Sequence, residues 1–190
     1  MPLKVNFFCD IKDSFMHLYL PEYISKINKK YKTKYFKTTN NIPRGEIAFY
    51  ISCSKILNEK DLQKHDFNIV VHPGKLPNER GSGVIAWKII NGSKDLTITL
   101  FEPNEKIDAG NIILQKSIRL TGLELNNEIR LKQSKLTFKL IDKFLKQYPN
   151  IKRKKNNKFG SYFKKRTKND SELDINKTIH DQFNLLRVCD

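Results

Sequence analysis

Four histidines are the residues of this chain best suited to acid–base chemistry: His17, His65, His72 and His180. Imidazole fits that role because its ordinary pKa of about 6.5 lets it gain or lose a proton near neutral pH. Only His72 stands at the end of a predicted buried strand, where it opens a loop rich in glycine and proline at 72–83. Open α/β sheets bind their ligands beside the carboxyl ends of strands. His72 is therefore the candidate catalytic residue, although a histidine that merely ends a strand would have the same sequence context.

The elements that must position this histidine alternate between strand-like and helix-like segments. This alternation predicts an α/β fold with a Rossmann-like, open, mostly parallel sheet flanked by helices. Strands are predicted at 4–9, 34–38, 47–52, 67–71, 96–101 and 112–118, and helices after Asp13-Ser14 and at 57–64, 84–90 and 125–148. The strand at 47–52 is apolar on both faces, which predicts a central position in the sheet. Pro21 is expected to break or kink the first helix.

Composition and charge limit the class of protein. The 190 residues carry a net charge of +16 and are 38% hydrophobic, which suits one folded domain and excludes a wholly disordered chain. We predict a domain over 1–150, then a basic linker that includes the exposed run 151–158, and a helix from Asp174 to Leu186.

Three cysteines without a CxxC pair favour neither a disulfide framework nor a zinc site. With no signal peptide and no apolar run of about 18 residues, a cytoplasmic protein without membrane contact is expected.

The loop around His72 resembles a family signature. Residues 68–81, Asn-Ile-Val-Val-His-Pro-Gly-Lys-Leu-Pro-Asn-Glu-Arg-Gly, resemble the His-Pro-x-x-Leu-Pro…Arg-Gly pattern of the folate-dependent formyltransferases. Four other segments resemble that family in the right order, at 54–57, 87–92, 96–101 and 107–114, and the resemblance covers residues 1–187. The spacing of 36 residues from His72 to Asp108 agrees as well. One such motif is weak evidence, whereas five in order are specific.

The similarity is greatest to bacterial sugar N-formyltransferases, whose catalytic domain is like that of methionyl-tRNA formyltransferase. It implies that 1–150 is a formyltransferase catalytic domain, with N10-formyltetrahydrofolate as donor, a nucleotide-linked amino sugar as acceptor and no metal. It implies that His72 takes the proton of the attacking amine and returns one to the departing folate nitrogen, a contribution of ~10²–10⁴-fold. Asp108 would orient and support the imidazole, whereas by itself an Asp before Ala109-Gly110 suggests only a turn.

The resemblance also implies binding residues. The donor is expected at Lys55, Ile56, Leu57, Glu105 and Ile107, beside Asp108. The phosphates of the acceptor are expected near Lys12, Ser14, Lys75 and Arg80. Ile56 and Leu57 would equally suit an ordinary core. No GxGxxG or Walker sequence adds to the phosphate prediction, which rests on these scattered donors.

One departure from the family pattern concerns catalysis. Where the family has an Asn two residues before the histidine, this chain has Val70, which cannot donate to a developing oxyanion. Loss of one such donor typically costs ~10²–10³ in rate. Asn68 lies too far back along the strand, so a backbone N–H of 72–76, Ser52 or Ser54 would have to replace it. Gly74 and Lys75 also stand where the family has Ser-Leu.

Other functions stay open at this point. Val70 together with an early chain end would suit an inactive formyltransferase-like protein. Segments 162–167, 171–174 and 183–187 resemble the connecting segment of sugar and tRNA formyltransferases, and a chain that ends at Asp190 weighs against tRNA formylation. Basic runs such as Lys164-Lys-Arg166 would suit a nucleic-acid-binding module, but no RNA-binding signature accompanies them. The helices at 125–148 and 175–187 are candidate faces for a homodimer.

Overall fold

The computed structural model describes residues 2–104, 107–156 and 160–189. Its strands are, in chain order, β1 (Lys4–Phe8), β2 (Lys32–Phe36), β3 (Gly45–Ile51), β4 (His65–His72), β5 (Glu79–Gly81), β6 (Asp95–Phe101), β7 (Ile112–Arg119) and β8 (Ser161–Phe163). Its helices are α1 (Met16–Ile27), α2 (Glu59–Leu62), α3 (Val84–Ile90), α4 (Asn126–Gln147) and α5 (Ile179–Leu186), with a 3-10 turn at Asn169–Ser171.

Six strands form one open sheet in the order β2-β1-β3-β4-β6-β7. The strands β1 to β4 pair in parallel, whereas β6 is antiparallel to both β4 and β7. The predicted α/β class with a mostly parallel sheet is therefore confirmed. Strand β3 lies in the interior, between β1 and β4, as its apolar run predicted. The two short strands β5 and β8 form a separate parallel pair that the sequence analysis did not predict.

Helices α1 and α4 cover one face of the sheet. Because side chains alternate along a strand, Phe7 and Phe49 point into this layer while Phe8 and Tyr50 point into a smaller cluster on the other face. From α4, apolar residues at helical spacing, among them Phe144, complete the main core. Burial of each such side chain stabilises the fold by roughly 1.5–3 kcal/mol, which is why these two faces fix the register of the sheet.

Three local predictions were wrong in their details. Helix α1 continues through Pro21 because buried residues on both sides of the proline, Leu20 and Tyr23, pack into the core. The last helix begins after Thr178, whose side chain accepts a hydrogen bond from the Asp181 N–H in a capping box, so the predicted cap Asp174 lies in the preceding turn. The helix predicted at 57–64 is limited to α2.

The basic segment is exposed over residues 152–155, as predicted, and a buried residue on either side anchors it. Ile151 and Asn156 are buried, and Lys154 forms a bridge with Ile112 at the start of β7. Arg153 makes a bidentate ion pair with Glu102, at 2.7 and 2.8 Å. Residues 151–156 therefore run beside β7, the edge strand of the sheet, on the way to the site described below. The domain boundary predicted at residue 150 stays a prediction.

Candidate active site

His72 ends strand β4, and its ring is buried under the loop that follows, with 4% of the residue exposed. Its backbone pairs with Thr99 of β6. Ring nitrogen Nε2 lies 2.5 Å from the backbone oxygen of Glu79. A carbonyl oxygen only accepts, so Nε2 carries the hydrogen and donates it.

Asp108 brings a carboxylate to the other nitrogen of this ring. Its Oδ1 lies 3.5 Å from His72 Nδ1, and the Gly81 N–H donates to its Oδ2 at 2.9 Å. The Asp108 backbone has a φ of +54°, a left-handed conformation that few non-glycine residues adopt. Asn156 Nδ2 donates to its carbonyl oxygen at 2.8 Å. These two hydrogen bonds hold in place a carboxylate that an ordinary turn would leave mobile.

The pair has the arrangement needed to accept and return a proton. With the hydrogen on Nε2, a neutral His72 has a lone pair on Nδ1, on the side of Asp108. If Nδ1 takes up a proton, both N–H groups of the imidazolium have an acceptor, one in Glu79 and one in Asp108. A histidine in such a setting can serve as base and then as acid for a molecule bound beside it.

The two side chains line a cavity of 760 Å³, within the usual range of ~300–1,000 Å³ for small-molecule sites. Most of its wall is apolar, with Phe15, Ile51, Ile56, Leu57, Phe101, Ile107 and Tyr162 among the lining residues. Within the described ranges, no three His, Cys, Asp or Glu side chains come together as a metal site. No helix in those ranges has both the length and the apolar character to cross a membrane.

The other three histidines lie away from this cavity. Asn6 Nδ2 lies 2.8 Å from Nε2 of His65, and burial lowers the pKa of His65 to about 4, so this ring is a neutral part of the core. His17 contacts the hydroxyl of Tyr35 and, through Nε2, the backbone oxygen of Ile11 at 2.9 Å. His180 is exposed on α5. His72 is the histidine that lines the cavity, as its place after a buried strand predicted.

A sequence model described as formyl transferase matches residues 28–140, a range that includes both His72 and Asp108. The chain belongs to the formyl transferase family. It is 30% identical over 184 residues to the bifunctional polymyxin resistance protein ArnA of Wigglesworthia glossinidia brevipalpis, an alignment that covers 87% of this chain and 27% of that protein. It is 27% identical over 170 residues to the methionyl-tRNA formyltransferase of Thermotoga neapolitana, with coverage of 86% and 52%. The chain thus spans about half or less of these two relatives.

Solved structures share the fold. The methionyl-tRNA formyltransferase of Clostridium thermocellum superposes with a TM-score of 0.81 at 18% identity, over 97% of this chain and 82% of that one. A sugar N-formyltransferase from a Shewanella species gives a TM-score of 0.69 at 18% identity, over 98% and 87%. These likenesses show the formyltransferase fold, and they do not distinguish a sugar from a tRNA acceptor.

The donor-binding residues expected for this formyl transferase family member mostly line the cavity. Lys55, Ile56, Leu57 and Ile107 do so, whereas Glu105 lies outside the described residues. Lys55 is engaged within the protein, because its Nζ lies 2.6 Å from a carboxylate oxygen of Asp61 and 3.3 Å from the Thr39 carbonyl oxygen. Its charge is therefore largely committed to Asp61.

The structure does not bring the four expected phosphate-binding residues into the cavity lining. Lys12 and Lys75 are exposed to solvent. The Ser14 hydroxyl accepts a hydrogen bond from the Met16 N–H at the start of α1. The guanidinium of Arg80 lies 6.0 Å from the ring of Tyr162, which does line the cavity. Their role in phosphate binding stays a prediction, because loop sequence alone does not say which way these side chains point.

The cavity also has basic residues that the sequence analysis missed: Arg130 on α4, and Lys165 and Arg166 after β8. Arg130 belongs to a polar stripe on α4, with Asn126, Gln133 and Thr137 in the same lining. The spacings of four, three and four residues place this stripe on one face of the helix. Such a stripe, polar residues at helical spacing beside the buried apolar face of α4, was the available signal. Lys165 and Arg166 belong to the basic run 164–166, which the sequence analysis related to nucleic-acid binding and not to this cavity.

Val70 lines the cavity where the family pattern has Asn, and it offers no donor. Asn68 cannot take over, because the Tyr50 hydroxyl donates to its Oδ1 at 3.1 Å and its Nδ2 donates to the Leu62 carbonyl oxygen at 2.7 Å. Of the alternatives, the Lys75 N–H and both donors of Ser54 are engaged with carboxylates. Ser52, which lines the cavity at the end of β3, stays a candidate replacement, as do the other backbone N–H groups of 72–76.

The C-terminal segment forms part of the cavity wall and is anchored by a buried ion pair. Val188 lines the cavity, and the neighbouring Arg187, 1% exposed, has its Nη1 3.6 Å from Glu124 Oε2. Burial by itself raises the pKa of Glu124. Hydrogen bonds from Lys132 and from backbone N–H groups outweigh this and hold that pKa well below its ordinary value. Glu124 is therefore ionised opposite Arg187, and the ion pair fixes the segment against the turn before α4.

Proposed function

We propose that this chain transfers a formyl group from N10-formyltetrahydrofolate to the amine of a nucleotide-linked amino sugar. The observation that carries the proposal is the pair formed by His72 and Asp108, with Nδ1 and Oδ1 3.5 Å apart in the wall of a large cavity. Family membership supports formyl transfer as the class of reaction.

His72 is the proposed general base and acid. Its Nδ1 lone pair takes the proton from the attacking amine, and the imidazolium then gives a proton to the departing nitrogen. Such catalysis contributes ~10²–10⁴-fold in rate. The carboxylate of Asp108 stabilises the imidazolium across the 3.5 Å gap.

The apolar part of the cavity suits a flat pterin ring. Ile56, Leu57 and Ile107 provide apolar contacts near Asp108, and they are the residues that we propose for donor binding, together with backbone groups of their segments. The bound donor supplies the formyl group. The protein must also stabilise the negative charge that develops on the formyl oxygen, and we assign this to the hydroxyl of Ser52 in place of the missing Asn. Loss of such a donor typically costs ~10²–10³ in rate.

The basic part of the cavity suits the phosphates of the acceptor. Arg130 and Lys165 are the cationic groups that we propose for the phosphates, and guanidinium groups pair well with phosphate oxygens. Arg166 also lines the cavity, but its Nη2 already donates to the Asp170 carbonyl oxygen and to Ser171 Oγ, at 3.2 and 2.8 Å. The names of similar proteins include both a sugar N-formyltransferase and a methionyl-tRNA formyltransferase, so these names do not decide the acceptor. A cationic lining that shares one cavity with His72 favours a small phosphorylated acceptor.

A direct assay tests the proposal. The full chain is incubated with N10-formyltetrahydrofolate and either a panel of nucleotide-linked amino sugars or methionyl-tRNA, and release of tetrahydrofolate is followed. We expect release with at least one sugar, a loss of at least ~10²-fold in His72→Ala, and a loss in Ser52→Ala but not in Ser54→Ala. The neighbouring Ser54 is a matched control because its hydroxyl is bound to Asp10.

Each alternative gives a different result in this assay. Equal background rates in the wild type and His72→Ala would mean that the chain is an inactive relative. Formylation of methionyl-tRNA alone would make the acceptor assignment wrong. Salt-sensitive RNA binding without any formyl transfer would favour the nucleic-acid-binding module.

A further inference from the structure

Glu79 lies in the loop that covers His72, and both its backbone carbonyl and its side-chain carboxylate are held by polar contacts. Its backbone oxygen accepts the hydrogen bond from His72 Nε2 at 2.5 Å. Its Oε2 accepts from the Lys75 N–H at 2.7 Å, and its Oε1 pairs with Nζ of Lys88 on α3 at 2.9 Å. The side chains of Glu79 and Lys88 are 17% and 13% exposed, so this ion pair is well shielded from solvent. The carbonyl that meets the imidazole is therefore tied to the loop and to a helix.

The Glu79 carbonyl oxygen can contact the His72 ring because residue 74 is a glycine, with no Cβ between them. A Cβ at Gly74 would lie 2.6 Å from the Glu79 oxygen and 2.6 Å from His72 Nε2, well inside any ordinary contact. Gly74 is itself fixed, because its carbonyl oxygen accepts a hydrogen bond from Thr99 Oγ1 at 2.6 Å. Where the family pattern has Ser, this chain has Gly74, and the missing Cβ leaves room for the contact.

This contact decides which ring nitrogen carries the hydrogen. A neutral imidazole has one N–H, and the tautomer with the hydrogen on Nδ1 would set two acceptors, Nε2 and the Glu79 oxygen, against each other. The Nε2–H tautomer instead satisfies the carbonyl at 2.5 Å, and the two acceptors that it sets against each other, Nδ1 and Asp108 Oδ1, are farther apart, at 3.5 Å. Because the repulsion falls with distance, this is the favoured neutral form. The hydrogen bond made by one ring nitrogen commonly sets the role of the other in this way.

We infer that Glu79 is a positioning residue: its anchored carbonyl holds His72 in the Nε2–H tautomer, so that Nδ1 is the atom that exchanges protons. Nδ1 accepts one proton from the acceptor's amine and later releases one, and His72 returns to its starting state with Nε2–H unchanged. The catalytic consequence rests on the proposed function, whereas the tautomer is a property of the resting protein. The two parts can therefore be tested separately.

The tautomer is measured by NMR on the full chain labelled with 15N-histidine, because long-range 1H–15N correlations distinguish the two neutral forms. The His72 signals are assigned by their loss in His72→Gln. We expect the Nε2–H form in the wild type and a mixture of both forms in Glu79→Ala, with kcat for formyl transfer lowered by about 10²-fold, as for a displacement of about 1 Å. Glu79→Gln keeps an acceptor for the Lys75 N–H and should restore much of both properties.

Glu22→Ala is the matched control, because it removes a Glu–Lys pair that is exposed on α1 and should change neither readout. Circular dichroism verifies that each variant is folded. An Nδ1–H tautomer in the wild type would overturn the inference, and so would Glu79→Ala with a single Nε2–H form and an unchanged kcat. If the wild type shows the Nε2–H form, Glu79→Ala mixes the tautomers and no formyl transfer is found, the positioning role stands and the proposed function fails.

Discussion

Removing the negative charge opposite Arg187 should be one of the most damaging single changes in this protein. In Glu124→Gln, the guanidinium of Arg187 stays buried at 1% exposure and loses the carboxylate, while the neutral hydrogen bond from Nη1 to the residue-124 carbonyl oxygen at 3.1 Å remains. Breaking a buried pair from one side typically costs ~3–5 kcal/mol, because it leaves an uncompensated charge. We expect Glu124→Gln to lower the free energy of unfolding by about that amount.

The reverse substitution should cost less. In Arg187→Met, the Glu124 carboxylate keeps Lys132 Nζ at 2.6 Å and the N–H groups of Thr121 and Gly122 at 2.8 and 3.0 Å. The loss is then about 1.5–3 kcal/mol, the usual net contribution of one hydrogen bond to a charged group. Adding Arg187→Met to Glu124→Gln should recover part of the larger loss, because the buried charge disappears.

Urea denaturation, followed by circular dichroism and by fluorescence of the single tryptophan, Trp87, measures these differences. The exposed pair of Glu22 and Lys26 provides the control, and Glu22→Gln should match the wild type. A cost for Glu124→Gln no larger than that for Arg187→Met would refute the reasoning.

The pH dependence of the unfolding free energy gives a second check. Because the folded pKa of Glu124 is depressed, its contribution is present above about pH 4.3 and is lost as the pH falls below it. Glu124→Gln should lack this loss.

Three further outcomes are expected. Gly74→Ala should lower kcat by about 10²-fold while the protein stays folded, since the new Cβ, 2.6 Å from the imidazole, must displace the ring or its carbonyl partner; steady-state kinetics checks this, and an unchanged kcat would contradict it. Arg130→Gln combined with Lys165→Gln should raise KM for a nucleotide-linked acceptor by at least tenfold, whereas Lys135→Gln, on an exposed position of α4, should not. His65, with a folded pKa of about 4, should make the protein less stable as the pH falls from about 6.5 toward 4, because the unfolded state binds that proton first; thermal melts of wild type and His65→Gln measure the slope, which should be smaller in the variant.

The fold could be predicted from local pattern wherever the pattern was long. The apolar run at 47–52 and the helical spacing at 125–148 gave β3 and α4 nearly to the residue. Strands β5 and β8 were missed because each has only three residues, and their pairing depends on an approach so close that a Cβ on Gly81 would lie 2.1 Å from the Phe163 oxygen. Local propensity carries no information about such a contact.

The features of the site likewise divide into those that the sequence identified and those that depended on the tertiary structure. The type of His72 and its place after a buried strand are properties of the sequence, and they selected this residue as a candidate. Asp108 was selected through the family resemblance and the spacing of 36 residues, because by itself its sequence context suggests only a turn. The sequence could not supply the 3.5 Å distance between them, the hydrogen bond from Nε2 to the Glu79 carbonyl, or the presence of Arg130 and Lys165 in the same cavity. Those features depend on how a loop, a helix and a C-terminal segment, distant along the chain, pack around the end of β4. The physical reason is that side-chain chemistry is local, whereas distance, burial and hydrogen-bond partners are decided by tertiary packing.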